Sequence, residues 1–218
     1  MEPDLTDRLA PREVLPLRYC TPDTWAAQAL AEPLALLGDH AHLERKAASN
    51  ALELVNRWPG AVCPAAWVSI LAAVARDETV HLHAVSRLLA ARGGTLLRVH
   101  RNQYASALHG LVRRGEGRHE LLDRLLVSAL IEARSCERFE LLGRCGDDPE
   151  LAEFFMSLHG SELGHYKVFL HLAGMLVGPE AWQGRWESML DAEAVTMAAQ
   201  APGSRMHSGA GGVACGSD

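Results

Sequence analysis

Two Glu-x-x-His motifs, Glu78 to His81 and Glu162 to His165, lie in long segments whose apolar residues recur at helical spacing. An acid and a histidine three residues apart leave the same face of a helix. In the first segment this face is the apolar one, because Leu71, Val74 and Val85 continue the same stripe. A bare carboxylate in a protein core is costly, so each motif needs a partner for its charge.

Two further predicted helices each carry one glutamate in the apolar stripe, Glu44 in the first and Glu132 in the third. The four long helices are predicted at about residues 33–58, 64–92, 118–144 and 149–177. Proline and glycine mark their ends. In an antiparallel four-helix bundle the six acidic and histidine side chains would converge. The predicted fold class is therefore all-α.

Four buried carboxylates without a lysine or arginine on the same stripes predict a site for two divalent cations, which would balance the charge. Carboxylates with imidazoles favour iron or manganese over zinc, and we expect iron. Asp77 is predicted to orient a ligating histidine, such as His165 across the bundle. His40, one turn before Glu44, is either a similar orienting residue or an ordinary hydrogen-bonded core histidine.

The Glu-x-x-His motif is weak evidence by itself. About one copy is expected by chance in a chain rich in both residues, and a third copy, Glu116 to His119, does occur. That copy lies at a glycine-flanked boundary outside any apolar stripe, so we interpret it as accidental.

The chain of 218 residues is expected to form one domain. We predict an N-terminal arm over residues 1–22, the bundle over 23–200 and a disordered glycine- and serine-rich tail over 201–218. Residues 95–117 form a long crossover between the second and third long helices, and further helical segments flank the bundle.

Composition narrows the functional class. The net charge of −6 argues against binding nucleic acid over the whole surface, although a local basic patch remains possible. No apolar run approaches the length of a membrane span and no secretion signal is recognised, so we expect a cytoplasmic protein without a membrane partner. The five cysteines form no C-x-x-C pair, which argues against structural zinc, and are expected to be reduced.

Several longer stretches resemble one family, the MiaE tRNA hydroxylases. They are Thr-Pro-x-x-Trp at 21–25, Asp-His-Ala-His-Leu-Glu-Arg-Lys-Ala-Ala-Ser at 39–49, Arg-Asp-Glu-x-x-His at 76–81, Ile-Glu-Ala-Arg-Ser-Cys-Glu-Arg-Phe at 131–139 and Ser-Glu-x-x-His at 161–165. The similarity covers roughly residues 21–176. It implies a ferritin-like di-iron bundle in which iron is bound, and catalysis supported, by Glu44, Glu78, His81, Glu132, Glu162 and His165.

The resemblance also implies O2-dependent hydroxylation of the isopentenyl side chain on the modified adenosine next to the tRNA anticodon. A separate electron-donor protein or reductase is then needed, because no flavin or nicotinamide motif is recognised. The oligomeric state is left open, with a monomer as the default. The alternative functions are those of a ferroxidase, a peroxidase, a manganese catalase or a non-catalytic metal-storage bundle.

The crossover is strongly basic, with Glu116 as its only acid. The residues that could contact tRNA are Arg98, Arg101, Tyr104, Arg113 and Arg114. Arginines would bind phosphates and the tyrosine would stack on a base. The alternative is an ordinary solvated surface without a specific partner.

Overall fold

The computed structural model describes residues 14–210 and 213–214. Within them, seven helices and two short strands follow in the order β1 Tyr19–Cys20, α1 Asp23–Leu30, α2 Pro33–Val55, α3 Ala65–Ala91, α4 Gln103–His109, α5 Arg118–Cys145, α6 Pro149–Val177, α7 Gln183–Ala198 and β2 Val213–Ala214. The all-α prediction is confirmed, and the four long helices begin and end within a few residues of the expected positions.

The four long helices form two hairpins, α2 with α3 and α5 with α6, which pack against each other through α3 and α6. The connection from α5 to α6 has three residues and that from α2 to α3 has nine, and short connections favour antiparallel neighbours in a bundle. The connection from α3 to α5 is long and carries α4, as expected for a crossover. Asp148 caps the start of α6 through the backbone N–H groups of Glu150 and Leu151, and it also binds Arg92 just after α3.

The core has two apolar clusters at different heights along the bundle. One contains Leu71 and Val74 of α3, together with the first half of α5 and the last half of α6. The other contains Val85 and Leu89 of α3, with the opposite halves of α5 and α6. The polar residues of the two Glu-x-x-His motifs fall between these clusters, so the site is enclosed above and below by packed side chains.

A buried ion pair connects helix α7 to the bundle. The guanidinium of Arg134 donates from Nε to Glu193 Oε1 at 2.9 Å and from Nη2 to Oε2 at 3.0 Å, and both side chains are 0% exposed. The hydroxyl of Tyr104 donates to the same carboxylate at 2.9 Å. Glu193 therefore links α7 to both α5 and α4.

The C-terminal segment 201–210 is ordered, so the predicted disordered tail is wrong for this part of the chain. Met206, His207 and Ser208 are buried, and the backbone N–H of Met206 donates to Asp39 at 3.0 Å. The apolar content of the segment is low, but one buried methionine and several backbone hydrogen bonds hold it against the bundle. Residues 211, 212 and 215–218 of the predicted tail lie outside the described residues.

The first 13 residues of the predicted N-terminal arm also lie outside the described residues. In the remainder, Tyr19–Cys20 pairs antiparallel with Val213–Ala214. Cys20 is disulfide-bonded, so the expectation of a reduced thiol is wrong there, whereas Cys63, Cys136 and Cys145 are not in disulfide bonds. No helix in the described part of the chain has the length and apolar character needed to cross a bilayer.

Candidate metal centre

The fold brings all six predicted ligands into the interior of the bundle. Each comes from a predicted helix and each is at most 8% exposed: Glu44 of α2, Glu78 and His81 of α3, Glu132 of α5, and Glu162 and His165 of α6. Their helices present them at one level because each side chain continues an apolar stripe that faces the bundle axis.

The six side chains form two overlapping groups. Glu44, Glu78, His81 and Glu162 make the first, and Glu78, Glu132, Glu162 and His165 make the second, each with ligand atoms within 4.8 Å of one another. Glu78 and Glu162 belong to both. Two carboxylates shared between adjacent groups is the arrangement expected for a pair of metal ions with common ligands.

The imidazoles turn the same ring nitrogen toward the carboxylates. Nδ1 of His81 lies 3.3 Å from Glu162 Oε1 and 3.5 Å from Glu44 Oε2. Nδ1 of His165 lies 2.7 Å from Glu78 Oε1. Both histidines therefore offer Nδ1 to the centre of the cluster.

Several of these atoms lack hydrogen-bond partners among the described residues. They are Glu78 Oε1, Glu162 Oε1 and Nδ1 of both His81 and His165, all of them buried. Nδ1 of His165 and Oε1 of Glu78 are 2.7 Å apart but do not have the geometry of a hydrogen bond. Buried polar atoms are nearly always hydrogen-bonded, and exceptions call for an explanation. Oxygen and nitrogen atoms that converge without hydrogen-bond partners fit metal ions, so the residues present match a two-metal site.

Crowding of carboxylates disturbs their ionisation. Burial, and then the neighbouring Glu132, raises the pKa of Glu78 to about 8. Burial and the charge of Glu78 raise the pKa of Glu162 to about 7, and burial beside Glu162 raises the pKa of Glu132 well above its usual range. Without metal, these carboxyl groups hold protons that a cation would displace.

At Glu44 and His81, the effect of neighbouring charges on the pKa outweighs the effect of burial. Burial alone would raise the pKa of Glu44, but the charge of His40 beside it lowers that pKa below its usual range. Burial alone would lower the pKa of His81, but the carboxylates of Glu162 and Glu44 raise it to about 12. The cluster therefore favours positive charge at its centre.

The two predicted orienting residues lie behind ligands. Asp77 Oδ2 is 3.7 Å from His165 Nε2, across the bundle as expected but beyond hydrogen-bond distance, and Asp77 also accepts from Arg76. His40 Nε2 is hydrogen-bonded to Glu44 Oε1, and its buried ring packs against Phe139 and Phe155. His40 thus contacts Glu44 directly, whereas Asp77 lies 3.7 Å from His165 without a hydrogen bond to it.

A cavity of about 100 Å³ reaches the site. Four of the predicted ligands line it, namely Glu44, Glu78, Glu132 and Glu162, together with apolar walls from Leu43, Ala47, Ala105 and Ile131 and polar groups from Lys46, Asn50, His109, Ser128, Ser135 and His207. Sequence reasoning missed the polar lining. Lys46 follows Glu44 by two residues, a spacing that does not place it on the same helical face, and His207 lies in the supposed tail and had no local signal.

The predicted tRNA contacts separate into two kinds. Arg98, Arg101 and Arg114 are exposed on the crossover. Arg113 is tied by two donors to buried Asp123, at 2.8 and 2.7 Å. Tyr104 is 0% exposed and bound to Glu193, so the prediction that its ring stacks on a base is wrong.

Comparisons with known proteins agree on one family. The family model described as "tRNA-(MS[2]IO[6]A)-hydroxylase (MiaE)" matches residues 9–208. A Pseudomonas putida protein named tRNA 2-(methylsulfanyl)-N(6)-isopentenyladenosine(37) hydroxylase is 43% identical over 70% of this chain and 72% of its own length. A Salmonella typhimurium protein of the same name is 30% identical over 73% of this chain and 76% of its own length.

One solved structure is also similar along nearly the whole chain. It is described as "Protein 43 with aldehyde deformylating oxygenase activity from Synechococcus". It has a TM-score of 0.82 and 34% sequence identity, and the match covers 93% of this chain and 98% of the other. The predicted ferritin-like bundle is therefore confirmed.

Proposed function

Because the chain belongs to the MiaE family of tRNA hydroxylases, we propose that it hydroxylates the isopentenyl side chain of the modified adenosine at position 37 of tRNA with two iron ions and O2. The observation that carries the proposal is the pair of overlapping carboxylate–histidine groups that share Glu78 and Glu162. A two-metal site can supply the oxidant for hydroxylating an unactivated C–H bond, whereas a tRNA-binding module without chemistry has no use for one.

In the proposed centre, Glu44 with His81 would hold one iron and Glu132 with His165 would hold the other. Glu78 and Glu162 belong to both groups and could serve either ion. When bound, the two ferrous ions supply electrons to O2 and the oxidising power to attack an unactivated C–H bond. Four carboxylates against two divalent cations leave a site with little net charge, as a buried centre requires.

The chain's own residues have three tasks in this proposal. His40 and Asp77 orient Glu44 and His165 from behind, which fixes the ligand geometry. The apolar walls supplied by Leu43, Ala47 and Ile131 hold a branched hydrocarbon beside the carboxylates and exclude water. Arg98, Arg101 and Arg114 bind tRNA phosphates on the crossover, while Arg113 is retained as a structural contact of Asp123.

Two reducing equivalents must enter with each O2, because one oxygen atom is transferred to the substrate and the other leaves as water. The sequence contains no recognised flavin or nicotinamide motif, so the proposal includes a separate electron-donor protein or reductase. The monomer is proposed as the working state, and the cytoplasm, where tRNA is modified, as the compartment.

The direct test is mass spectrometry of tRNA nucleosides from cells with and without the gene. Loss of the hydroxylated form of the isopentenyladenosine, and its return with the wild-type gene but not with Glu78→Ala, is the expected result. An equal amount of the hydroxylated nucleoside with and without the gene would contradict the proposal. Metal analysis of the purified protein separates iron from manganese, and about two irons per chain are expected for a two-metal site.

A further inference from the structure

The cavity beside the carboxylates is small. Its volume of about 100 Å³ is a few times the ~30 Å³ that one water molecule occupies in the liquid. A five-carbon branch is the size of group that such a cavity accepts, whereas a whole nucleoside is not. If the isopentenyl group enters, its base and its sugar-phosphate backbone stay near the mouth.

Lys46 lies at this mouth, partly exposed on α2. Among the described residues that line the cavity it is the only lysine or arginine. Burial lowers the pKa of both histidines in the lining, His109 and His207, and that of His207 falls to about 3. Burial also lowers the pKa of Lys46, but from an ordinary value far above that of histidine. Lys46 is therefore the one cation of the cavity lining in the described part of the chain.

The ammonium of Lys46 is held in place by a hydrogen-bonded chain. Its Nζ lies 2.8 Å from His100 Nδ1, and an ammonium can only donate, so Nδ1 accepts. The ring proton is then on Nε2, which donates to Asp39 Oδ1 at 2.7 Å. The other oxygen of Asp39 accepts the backbone N–H of Met206. The crossover and the C-terminal segment thus jointly support one lysine on α2.

Lys46 keeps donors for a ligand. An ammonium has three N–H groups, and the described hydrogen bond to His100 uses one. Within the described residues no ion pair to a carboxylate involves Lys46, so its charge is not neutralised by direct contact and its position is set by a neutral ring. An anion that stays outside the cavity is the ligand that this arrangement fits.

We propose that Lys46 binds a backbone phosphate of the tRNA nucleotide whose isopentenyl group occupies the cavity, and that His100 and Asp39 position its ammonium for that contact. The inference rests on the proposed function and assigns the anchor that places one nucleotide over the metal centre. It differs from the exposed arginines of the crossover, which have no comparable support and bind the more distant backbone.

The test is the affinity of the iron-loaded protein for isopentenylated tRNA, measured without reductant so that no turnover occurs. Lys46→Gln removes the charge, and Arg45→Gln is the matched control, because Arg45 is exposed, adjacent and does not line the cavity. Lys46→Gln is expected to weaken binding about tenfold, the value of one charged hydrogen bond. The slope of log K against log salt should fall by about 0.7, as for one phosphate contact with a single strand.

The positioning role has its own variant. His100→Phe keeps a ring that can stack on His42 but removes both nitrogens, so Lys46 keeps its charge and loses its support. We expect binding to weaken about threefold with an unchanged salt slope, because the phosphate contact is less well placed but still made. Wild-type affinity in His100→Phe would overturn the positioning part.

Equal effects of Lys46→Gln and Arg45→Gln, or a weaker affinity without a change of salt slope, would overturn the phosphate contact. Iron content and the thermal midpoint are measured for every variant, and Lys46→Met replaces Lys46→Gln if the latter loses iron. Hydroxylation by the wild type is assayed separately. If wild-type protein does not hydroxylate tRNA, the proposed function fails, while the contrast in binding still decides the role of Lys46.

Discussion

Glu78 and Glu162 differ from the other four predicted ligands because each belongs to both candidate metal-binding groups. Glu78→Ala should therefore lower iron content from about two per chain to well below one, since both proposed irons lose a shared oxygen. Glu44→Ala removes a ligand from the first group only and should leave about one iron. Iron per chain, determined by elemental analysis of reconstituted protein, checks both values.

The informative control is Glu153→Ala, an exposed glutamate of α6 outside either group. It should keep the wild-type iron content. Equal iron in Glu78→Ala and Glu44→Ala would contradict the sharing of Glu78, even if both variants lost metal.

The raised pKa values predict how the metal-free protein responds to pH. Glu78 and Glu162 have pKa values of about 8 and 7 when folded, whereas an unfolded glutamate loses its proton near 4.5. Between these values the folded state binds more protons than the unfolded state, so stability falls as pH rises from about 5 to 8. His81, whose pKa is raised to about 12, acts in the same direction above its ordinary value.

Thermal midpoints of chelator-treated protein should therefore decrease from pH 5 to pH 8, and Glu78→Gln should flatten the decrease because a neutral amide cannot ionise. Iron-loaded protein should not show this decrease, since the cations hold the carboxylates ionised. A metal-free midpoint that rises over this range would show that the buried carboxyl groups are ionised at low pH.

At the scale of elements, one buried carboxylate contributes to the attachment of α7. Glu193→Ala removes two hydrogen bonds from the buried guanidinium of Arg134, which keeps Glu137 as a partner. We therefore expect a loss of about 3 kcal/mol, the lower end of the cost of breaking a buried pair. The free energy of unfolding, from urea titration followed by circular dichroism, measures the loss.

Glu187→Ala on the same helix is the control. Glu187 pairs with Arg18 at the surface, where an ion pair contributes about 0–1 kcal/mol. If the two variants lost similar stability, the attachment of α7 would have to come from its apolar contacts instead of from Glu193.

The crossover is the element proposed to meet the tRNA backbone. Arg98→Gln and Arg101→Gln should each weaken binding and lower the salt slope by about 0.7, while iron content stays unchanged. Arg144→Gln, an exposed arginine at the end of α5 that pairs with Asp23, should not alter the slope. Identical slopes for all three variants would indicate that the crossover is an ordinary solvated surface.

Over the whole molecule, the sequence predicts the features that local periodicity determines. Glu78 and His81 lie on a stripe with Leu71 and Val85, so helix, face and burial follow from spacing. Asp77 opposite His165 followed from the same geometry with less precision, because the rotamer of each side chain decides whether they meet.

The failures involve contacts between distant parts of the chain. Tyr104 was assigned to RNA because the crossover is basic, but its partner Glu193 lies 89 residues away and no local pattern pairs them. His207 and Met206 were assigned to a disordered tail because the segment is poor in apolar residues. Their burial depends on hydrogen bonds to distant segments. The backbone N–H of Met206 donates to Asp39, and the side chain of His207 is hydrogen-bonded to that of Asn102.

The burial of Met206 and His207 predicts that the C-terminal segment 201–210 unfolds together with the bundle. Met206 is 0% exposed in the apolar cluster of α1, α2 and α5, so Met206→Ala should lower the global free energy of unfolding by about 2–5 kcal/mol. Val195→Ala, at a position 72% exposed on α7, should change it by less than about 0.5 kcal/mol. Urea unfolding followed by tryptophan fluorescence and circular dichroism should give coincident transitions. An unchanged midpoint in Met206→Ala, together with rapid proteolysis at 201–205, would mean that the segment opens independently of the core.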